Sequence, residues 1–504
     1  MNHHSGESVS VWMASSTLPL FPKLLQNETA DVCVVGSGIA GLTTAYLLAR
    51  DGYSVIVLDD GPLVSGETER TTAHLTHALD SRFFELERLH GEKGARIAAE
   101  SHSAAIEKIE EIVKRENIGC DYQRLDGYLF CPPGESTQIL EREMAAAHRA
   151  GLDAVEMVSR APVGSFDTGP ALRFPRQAQF HPLKYLAALT IAFQRQGGRI
   201  FTNTHVTGVE GGEPARVETK GGYVVNAKAL VMATNTPVND RLIIHTKQAA
   251  YRTYVIGATV PAGSVPKGLY WDTADPYHYV RVQPLDRGDV LIIGGEDHKT
   301  GQANDADARY LRLEQWARAR FPMIEAIPHR WSGQVMEPVD GLAFIGRNPM
   351  DQENVYLITG HSGNGMTYGT LAGMLISDLI AGRENRWAAL YDPTRKTLGA
   401  AKEFAAQNLN VAARYLENVT GGIPQDPSTL LPGTGAVIRR GLKKAAVYRD
   451  DAGELHEFSA VCPHLSCLLS WNAAEKSWDC PCHGSRFDRH GHVLNGPAIS
   501  DLED

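Results

Sequence analysis

Apolar and polar positions follow two different periods within the first 60 residues of the chain. Residues 32–35 form a short apolar run of strand length, and residues 55–58 form a second one. Between them, apolar side chains recur at the spacing of a helix, which Gly52 ends. The pattern therefore predicts a strand, a glycine-rich turn, a helix and a second strand that ends at Asp59.

The spacing of apolar and polar residues also divides the rest of the chain into predicted helices and strands. Residues 83–117 have a charged helical pattern, typical of a solvated helix pair, and residues 247–331 are rich in strand-forming side chains. Short apolar runs before Thr234 and over 355–358 predict further strands of the first sheet. Residues 391–427 are helical in pattern and end in a turn-rich stop. These observations favour an α/β fold with a connection to a separate C-terminal module.

The turn after the first strand has the sequence Gly36-Ser-Gly38-Ile-Ala-Gly41. Gly36 permits the tight turn, Gly38 lets the backbone approach a pyrophosphate, and Gly41 lets the helix pack close to the strand. Asp59 lies near the spacing expected for an acid that accepts hydrogen bonds from a ribose. Because strand, turn, helix, strand and acid occur in this order, the segment predicts a dinucleotide site.

The amino-acid composition and net charge indicate which classes of binding partner are unfavourable. The 504 residues carry a net charge of -10, which disfavours nucleic acid and anionic membrane surfaces. The N-terminus lacks the basic start and apolar region of a secretory signal. Residues 32–49 are nearly free of charge, but their glycines and threonines and the strand that follows argue against a transmembrane segment. We therefore expect a cytoplasmic protein with no integral membrane segment.

Four of the seven cysteines lie between residues 462 and 482. Two of them belong to a C-x-H and C-x-x-H pattern formed by Cys462, His464, Cys480 and His483. In a cytosolic protein such a group more often indicates a metal site than disulfides. A tetrahedral zinc site is one reading of these four residues.

The same motif and its surroundings resemble a Rieske domain over about residues 428–504. The resemblance implies an all-β domain that holds a [2Fe–2S] cluster. Cys462 and Cys480 would hold one iron, and His464 and His483 the other.

The Rieske resemblance also implies details around the cluster. Cys467 and Cys482 occupy the positions that form a loop-bridging disulfide in the respiratory type of Rieske protein. Ser485 matches a serine whose hydroxyl donates to a cluster sulfur, whereas Phe487 replaces a tyrosine. Because one hydrogen bond is missing, we expect a reduction potential below that of the respiratory type.

The glycine motif, the strands ending at Thr234 and the block WSG…DGLAFIG…GHSGNG recur in an order that resembles the superfamily of D-amino-acid oxidase, glycine oxidase and sarcosine oxidase. The resemblance covers about residues 28–390. It implies a Rossmann-like FAD-binding domain with an interleaved α+β substrate domain. The implied FAD-binding parts are about 28–82, 180–246 and 332–390, the substrate parts about 83–179 and 247–331, and residues 1–27 form an N-terminal arm.

The flavoprotein resemblance implies where FAD lies. Threonines near Thr71 and Thr72 are expected beside the phosphates, and Val206 where a strand end meets the adenine. The turn at 360–367 is expected near the flavin ring, where a helix N-terminus stabilises negative charge. His74 is a less favoured candidate for a covalent flavin link. The implied FAD contacts are Gly36, Gly38, Ile39, Ala40, Gly41, Asp59, Thr71, Thr72, Val206, Gly363, Asn364, Gly365, Met366 and Thr367.

A flavin module followed by a one-electron carrier predicts an FAD-dependent oxidoreductase that oxidises the C–N bond of an amine or amino acid. Electrons would leave through the Rieske cluster to an acceptor protein or quinone. Sarcosine oxidases carry a lysine shortly before an active-site histidine. If His298 matches that histidine, the lysine position falls near Gly294, so we expect a dehydrogenase rather than an oxidase. Candidates for lining the substrate pocket are Tyr251, His278, Tyr279, His298 and His361.

The main alternative is a flavin and iron–sulfur electron-transfer protein without an organic amine substrate. It predicts a second dinucleotide domain for a pyridine nucleotide, and the sequence has no second unit of strand, GxGxxG and helix. We therefore favour the amine oxidoreductase.

Overall fold

The computed structural model describes residues 5–239, 244–285, 288–349, 351–420, 426–441 and 443–503. Within these ranges the helices are α1 (Val11–Ala14), α2 (Ile39–Arg50), α3 (Phe83–Arg115), α4 (Gln138–Arg149), α5 (Pro182–Arg195), α6 (Ala306–Arg320), α7 (Gly365–Ile380), α8 (Ala388–Tyr391) and α9 (Ala401–Thr420).

The strands of the first two thirds of the chain are β1 (Glu28–Val35), β2 (Val55–Leu58), β3 (His74–Leu75), β4 (Gln123–Phe130), β5 (Glu156–Val158), β6 (Ala171–Gln179), β7 (Arg199–Phe201), β8 (Val206–Glu210), β9 (Ala215–Thr219), β10 (Val224–Met232), β11 (Gln248–Val260), β12 (Leu269–Asp272), β13 (Tyr279–Leu285), β14 (Gly288–Lys299) and β15 (Ala326–Pro338). The remaining strands are β16 (Phe344–Arg347), β17 (Val355–Thr359), β18 (Thr434–Arg440), β19 (Lys443–Arg449), β20 (Leu455–Ser459), β21 (Ser470–Asn472), β22 (Ser477–Asp479), β23 (Arg486–Asp488) and β24 (Val493–Asn495).

The first large sheet is mostly parallel and has the strand order β16-β17-β10-β1-β2-β7. Alternate side chains of β1 enter two different cores: Val32 and Val34 pack in one, Cys33 and Val35 in the other. A strand buried on both faces reads as a continuous apolar run, which is why residues 32–35 contain no polar side chain. α2 packs against α5 and α7 over one face.

The second large sheet is mostly antiparallel and has the order β15-β11-β14-β13-β12-β4-β6-β3, with β5 paired to β6. Its strands come from segments that alternate along the chain with those of the first sheet. The exception to the antiparallel pairing is β12, which runs parallel to β4. The predicted α/β architecture with an interleaved second domain is confirmed.

The C-terminal β-domain (β18–β24) consists of a three-stranded sheet, β18-β19-β20, and a four-stranded sheet, β21-β22-β23-β24. Its core combines Trp471, Trp478 and Phe487 with Cys467 and Cys482. The predicted all-β C-terminal module is therefore confirmed.

A buried charge network joins the C-terminal β-domain to the rest of the chain. Glu475, in the turn between β21 and β22, pairs with Arg70 at 3.3 Å, and both side chains are 0% exposed. Asp479 on β22 lies 3.1 Å from Arg486 and 3.8 Å from Arg252 of β11, again with nearly complete burial. Because these arginine and carboxylate charges are deeply buried, each needs its oppositely charged partners to offset the free-energy cost of removing it from water.

The pKa values of the two acids reflect this pairing. Burial alone would raise both pKa values, but the arginines reverse the effect. Arg70 and Arg252 hold the pKa of Glu475 below its usual range, and Arg486 does the same for the pKa of Asp479. Both acids are therefore ionised in the folded protein.

The N-terminal arm lies inside the same network. The Ser8 hydroxyl donates to Glu475 at 2.6 Å, and Arg486 donates to the carbonyl oxygen of Ser5 at 2.6 Å. Trp12 on α1 is fully buried and donates to the carbonyl oxygen of Thr71 at 2.6 Å. The arm, to which the sequence assigns no chemistry, thus contacts both the first domain and the C-terminal β-domain.

We predict that Glu475→Gln weakens the attachment of the C-terminal β-domain. Removing one partner of a buried ion pair costs roughly 3–5 kcal/mol, because the arginine that remains is buried without a countercharge. Chemical denaturation followed by circular dichroism measures the loss in the free energy of unfolding. Limited proteolysis within residues 391–427 reports whether the domain separates first.

The matched control for this variant is Glu454→Gln. Glu454 belongs to the same domain, but it is exposed. We expect its unfolding and proteolysis to equal those of the native protein. Equal effects of the two variants would contradict the role given to the network.

Candidate functional site

A deep cavity is lined by residues from both large sheets and from the C-terminal β-domain. At one end the wall consists of the turn after β1, the acid after β2 and the start of β8. At the other end it consists of β14, β15 and the turn before α7. The cavity is thus an elongated space between the two interleaved domains.

The turn after β1 is as tightly packed as its glycines predict. Gly36 has a φ of +109°, a conformation that favours glycine. A Cβ on Gly41 would collide with the carbonyl oxygen of Gly36, so only glycine lets α2 approach the turn this closely. Gly38 has no side chain to cap α2. The Ile39 N–H donates to the Thr68 hydroxyl at 3.2 Å, and the next N–H groups of the first turn remain for an anion.

Asp59 lies beside this turn at the end of β2. Its carboxylate accepts hydrogen bonds from the N–H of Ser37 at 2.6 Å and from that of Gly61 at 3.0 Å. Burial raises the pKa of Asp59 to about 6. The adjacent ends of two parallel strands thus bring an acid and an anion-binding turn to the same edge of the sheet, which is the arrangement that a dinucleotide requires.

Part of the cavity wall comes from the C-terminal β-domain. Residues 493–496, 498 and 499 line the cavity. His205 donates to the carbonyl oxygen of Ile499 at 2.8 Å, while its other ring nitrogen lies 3.0 Å from Asp60. Asp60 and His205 themselves belong to the lining, at the end that contains Val206. The segment 493–499 therefore closes this end of the cavity.

A second site lies within the C-terminal β-domain. Cys462 and Cys480 are free and buried, and their sulfur atoms are close enough to hydrogen bond to each other. The rings of His464 and His483 lie 5.2 Å apart, between centroids. Cys467 and Cys482 form a disulfide bond, as the resemblance implied. Two thiols and two imidazoles thus converge beside a disulfide, the donor set of a Rieske cluster.

Ser485 lies beside these thiols, and its oxygen accepts a hydrogen bond from the Ala498 N–H at 3.1 Å. The interaction between the two thiols lowers the pKa of Cys462 and raises that of Cys480, and the Ser485 hydroxyl also contributes to lowering the pKa of Cys462. One thiol of the pair therefore more readily takes the thiolate form that metals require. The fully buried Phe487 fills the position of the missing tyrosine.

Two side chains outside the C-terminal β-domain touch the second site. Gln334 lines the cavity and donates to the carbonyl oxygen of Gly484 at 2.9 Å, directly after His483. His245 packs edge-on against His464 and at a tilt against His483, with ring centroids 5.0 and 5.7 Å apart. Gln334 and His245 therefore connect the rest of the chain to the second site, and Gln334 does so from the cavity wall.

Family models match both parts of the chain. The model described as FAD dependent oxidoreductase (DAO) matches residues 31–379. The chain belongs to this family. A second model, the Rieske [2Fe-2S] domain, matches residues 425–504. FAD and a Rieske cluster are therefore the cofactors of this DAO-family protein, as predicted.

Individual proteins agree with this assignment. The chain is 32% identical to the putative Rieske 2Fe-2S iron-sulfur protein YhfW of Bacillus subtilis (strain 168), over 98% of this chain and 96% of that protein. It is 28% identical to gamma-glutamylputrescine oxidoreductase of Escherichia coli (strain K12), over 73% of this chain and 88% of that protein. Glycine oxidase from Geobacillus kaustophilus has the same fold, with a TM-score of 0.62 at 19% identity over 73% of this chain and all of that one.

Most of the predicted contacts of this DAO-family protein line the cavity. Those that do are Gly36, Gly38, Ile39, Ala40, Asp59, Thr71, Thr72, Val206, Tyr279, His361, Gly363, Asn364, Gly365 and Met366. Gly41 lies behind the lining, where it packs α2 onto the turn. Thr367 is also outside it, with its hydroxyl near the carbonyl oxygen of Thr76 at 3.3 Å.

Three of the predicted pocket residues of the substrate domain lie elsewhere. Contrary to expectation, His278 and His298 are outside the lining, whereas their chain neighbours Tyr279 and Asp297 are part of it. On β14 the side chains of Asp297 and His298 point to opposite faces of the sheet, so His298 points away from the cavity. His278 instead stacks on Trp316, with ring centroids 4.3 Å apart. Tyr251 is outside the lining as well.

Other lining residues were not foreseen from the sequence. They include Asp80, Gln334, Glu337 and the segment 493–499. No spacing signal connects them, because they come from separate strands and loops. Alternation along β14 and β15 could have indicated the strand positions only if the face toward the cavity were known.

Among the described residues, no helix is long and apolar enough to span a bilayer.

We predict that His205→Ala speeds the release of FAD. Without its hydrogen bond to Ile499 the segment 493–499 loses an anchor at the cavity wall. The loss of one hydrogen bond of this kind corresponds to an increase of about tenfold in the dissociation rate of FAD. Fluorescence of released FAD after dilution measures the dissociation rate.

Lys220→Ala is the control for His205→Ala. Lys220 also contacts the C-terminal segment, through Asp501 at 2.8 Å, but the pair is exposed and outside the cavity lining. Because exposed pairs contribute little, FAD release should remain near the native rate. An unchanged rate in His205→Ala would show that the segment does not retain FAD.

Proposed function

We propose that the protein oxidises the C–N bond of an amine or amino acid by hydride transfer to FAD and passes the electrons singly through the Rieske cluster to an external acceptor, either a carrier protein or a quinone. The observation that carries this proposal is the contact between Gln334 and Gly484. It places one side chain of the cavity wall against the residue that follows a cluster ligand.

Contacts for FAD are proposed from the lining. The pyrophosphate would lie at the N-terminus of α2 and beside Thr71 and Thr72, with the ribose at Asp59 and the adenine near Val206. The turn before α7 would hold the flavin edge, since α7 also begins without a side-chain cap. The residues here are Gly363 and Asn364 of the turn and Gly365 and Met366 at the start of α7.

The cluster ligands are proposed in the same way. Cys462 and Cys480 would bind one iron, and His464 and His483 the other. Their convergence next to the disulfide supports this set over one that uses Cys467 or Cys482, whose sulfur atoms are already bonded to each other.

When bound, FAD supplies a two-electron acceptor and the cluster a one-electron acceptor. The substrate C–H bond breaks with its electron pair leaving as hydride, an N–H proton is lost, and water hydrolyses the resulting imine. The chain positions the amine and excludes bulk water. Burial lowers the pKa of His361 to about 4, so this residue of the wall is uncharged at neutral pH.

A dehydrogenase is favoured over an oxidase by the surroundings of Gly294. A side chain at this position would collide with the ring of Tyr279, so the lysine expected from sarcosine oxidases has no room there. Lys299, the nearest lysine after it, donates to Gln407 at 2.6 Å and is not part of the lining. Electrons would therefore leave through the cluster.

The test is an anaerobic titration of the purified protein with a panel of amines and amino acids. We expect at least one of them to bleach the flavin absorbance and then to remove the absorbance of the oxidised cluster. If NADH reduces the flavin and none of the amines does, the protein is an electron-transfer protein and the proposal fails.

His464→Ala tests the route of the electrons, because it removes a cluster ligand. We expect the amine still to bleach the flavin, while reduction of an artificial one-electron acceptor slows strongly. The control His329→Ala changes a histidine of β15 outside both sites and should keep the native rate. If His464→Ala reduced the acceptor at the native rate, the electrons would not pass through the cluster, and this part of the proposal would be wrong.

A further inference from the structure

Three carboxyl groups lie close enough together in the cavity lining to interact electrostatically, and they form its acidic end. Asp80 precedes α3, Asp297 is on β14 and Glu337 is on β15, and all three line the cavity. They are 217 and 40 residues apart along the chain, from Asp80 to Asp297 and from Asp297 to Glu337. The fold brings them together, and none has a role in the function proposed above.

Asp80 and Glu337 both reach the turn before α7. Asp80 accepts a hydrogen bond from the N–H of Gly363 at 2.8 Å, and Glu337 accepts one from the Ser362 hydroxyl at 2.6 Å. The positive end of the α7 dipole partly compensates the negative charge at this point. Both carboxylates are thus fixed next to the place proposed for the flavin edge.

The hydrogen-bonding capacity of the Asp297 carboxylate is only partly used. Its Oδ1 atom is buried and, among the described residues, has no hydrogen-bond partner. Its other contact is Thr253, whose hydroxyl is also bonded to Tyr279 at 2.7 Å. His361 in the same lining likewise has a buried Nε2 without a described partner. Buried polar atoms of this kind are normally paired, so these two atoms point to a ligand inside the cavity.

Positively charged side chains are scarce in the cavity wall around this group. Among the described lining residues, Arg70 is the sole arginine or lysine, and it is engaged by Glu475 and by the carbonyl oxygen of Ser332. Burial, and then the neighbouring carboxylates, raise the pKa of Glu337 to about 8. Burial raises that of Asp297 to about 7. When no cation is bound, the two carboxyl groups are therefore partly or mostly protonated at neutral pH, and a cation bound among them would lower both pKa values and ionise them.

Aromatic side chains surround the same space. Tyr277 donates to Asp80 at 3.4 Å, and its ring centroid lies 5.6 Å from that of Tyr279. Trp271 lines the cavity too. Aromatic faces and carboxylates together favour an ammonium group, whereas a carboxylate ligand would meet like charges and no available arginine.

We propose that this acidic end binds a second ammonium group of the substrate, so that the preferred substrate is a diamine or polyamine rather than a monoamine or an α-amino acid. The inference rests on the proposed amine oxidation. Asp80, Asp297 and Glu337 hold the remote ammonium, and this fixes the reacting C–N bond in the cavity. Neutralising one of them costs affinity for the dication and leaves the affinity for a monoamine unchanged.

The first test compares 1,4-diaminobutane, butylamine and ornithine in anaerobic stopped-flow reduction of the flavin. In the native protein the diamine should show the lowest dissociation constant. Glu337→Gln should raise that constant about tenfold, because a charge-assisted hydrogen bond is lost, with little change in the constant for butylamine. Glu296→Gln is the matched control, since Glu296 is the chain neighbour of Asp297 but pairs with Arg312 at 2.7 Å outside the lining.

The second test measures binding without turnover. Protein reduced beforehand with dithionite cannot oxidise the amine, so calorimetric titration with 1,4-diaminobutane reports binding alone. We expect binding to the native protein and to Glu296→Gln, and about tenfold weaker binding to Glu337→Gln. FAD content of each variant, from its absorbance, verifies that the cofactor is retained.

The two proposals fail separately. If none of the amines reduces the flavin, amine oxidation is wrong, and the calorimetry still decides whether the cavity binds a dication. If butylamine or ornithine binds as tightly as the diamine, or if Glu337→Gln and Glu296→Gln behave alike, the acidic end does not select a second ammonium group. Loss of FAD from Glu337→Gln would assign Glu337 to cofactor binding instead and overturn the inference.

Discussion

The pairing of buried arginines with buried carboxylates is the constraint on which the arrangement of the molecule depends. Glu475 and Asp479 of the C-terminal β-domain face Arg70 and Arg252 of the first domains, while Arg486 reaches back to the arm. A charge buried without its partner costs several kcal/mol, so a partly detached domain would be strongly unfavourable. The domain is therefore held in one position.

In this position the C-terminal β-domain completes the cavity that the two large sheets form. The segment 493–499 can close the end near Val206 only if the domain is docked, and Gln334 can reach Gly484 only in the same state. The contacts of His245 with His464 and His483 depend on docking as well. The docked domain thus completes the wall of the cofactor cavity and brings Gln334 and His245 against the cluster site.

Sequence reasoning recovers what is local. The β1–α2–β2 unit was predictable because its glycines, its apolar period and Asp59 lie within about 30 residues. The four proposed cluster ligands could be named for the same reason, since they lie within two short segments of the sequence. Resemblance to known families added FAD and the turn at 360–367.

What depends on tertiary contacts was not predictable in this way. The choice between His278 and Tyr279, or between His298 and Asp297, is set by which face of a strand meets the cavity, and the chain alone does not reveal that face. The buried ion pairs and the wall formed by 493–499 join residues several hundred positions apart. Nor does the sequence of residues 1–27 indicate that Ser5 and Ser8 contact a domain at the opposite end of the chain.

The central claim is that the flavin and the cluster exchange electrons within one docked molecule. The most direct measurement is the rate of cluster reduction after rapid anaerobic mixing with an amine that bleaches the flavin, repeated over a hundredfold range of protein concentration. The account predicts a first-order rate that does not change with concentration. A rate that rises in proportion to protein concentration would mean that the cluster receives electrons from another molecule, and would contradict it.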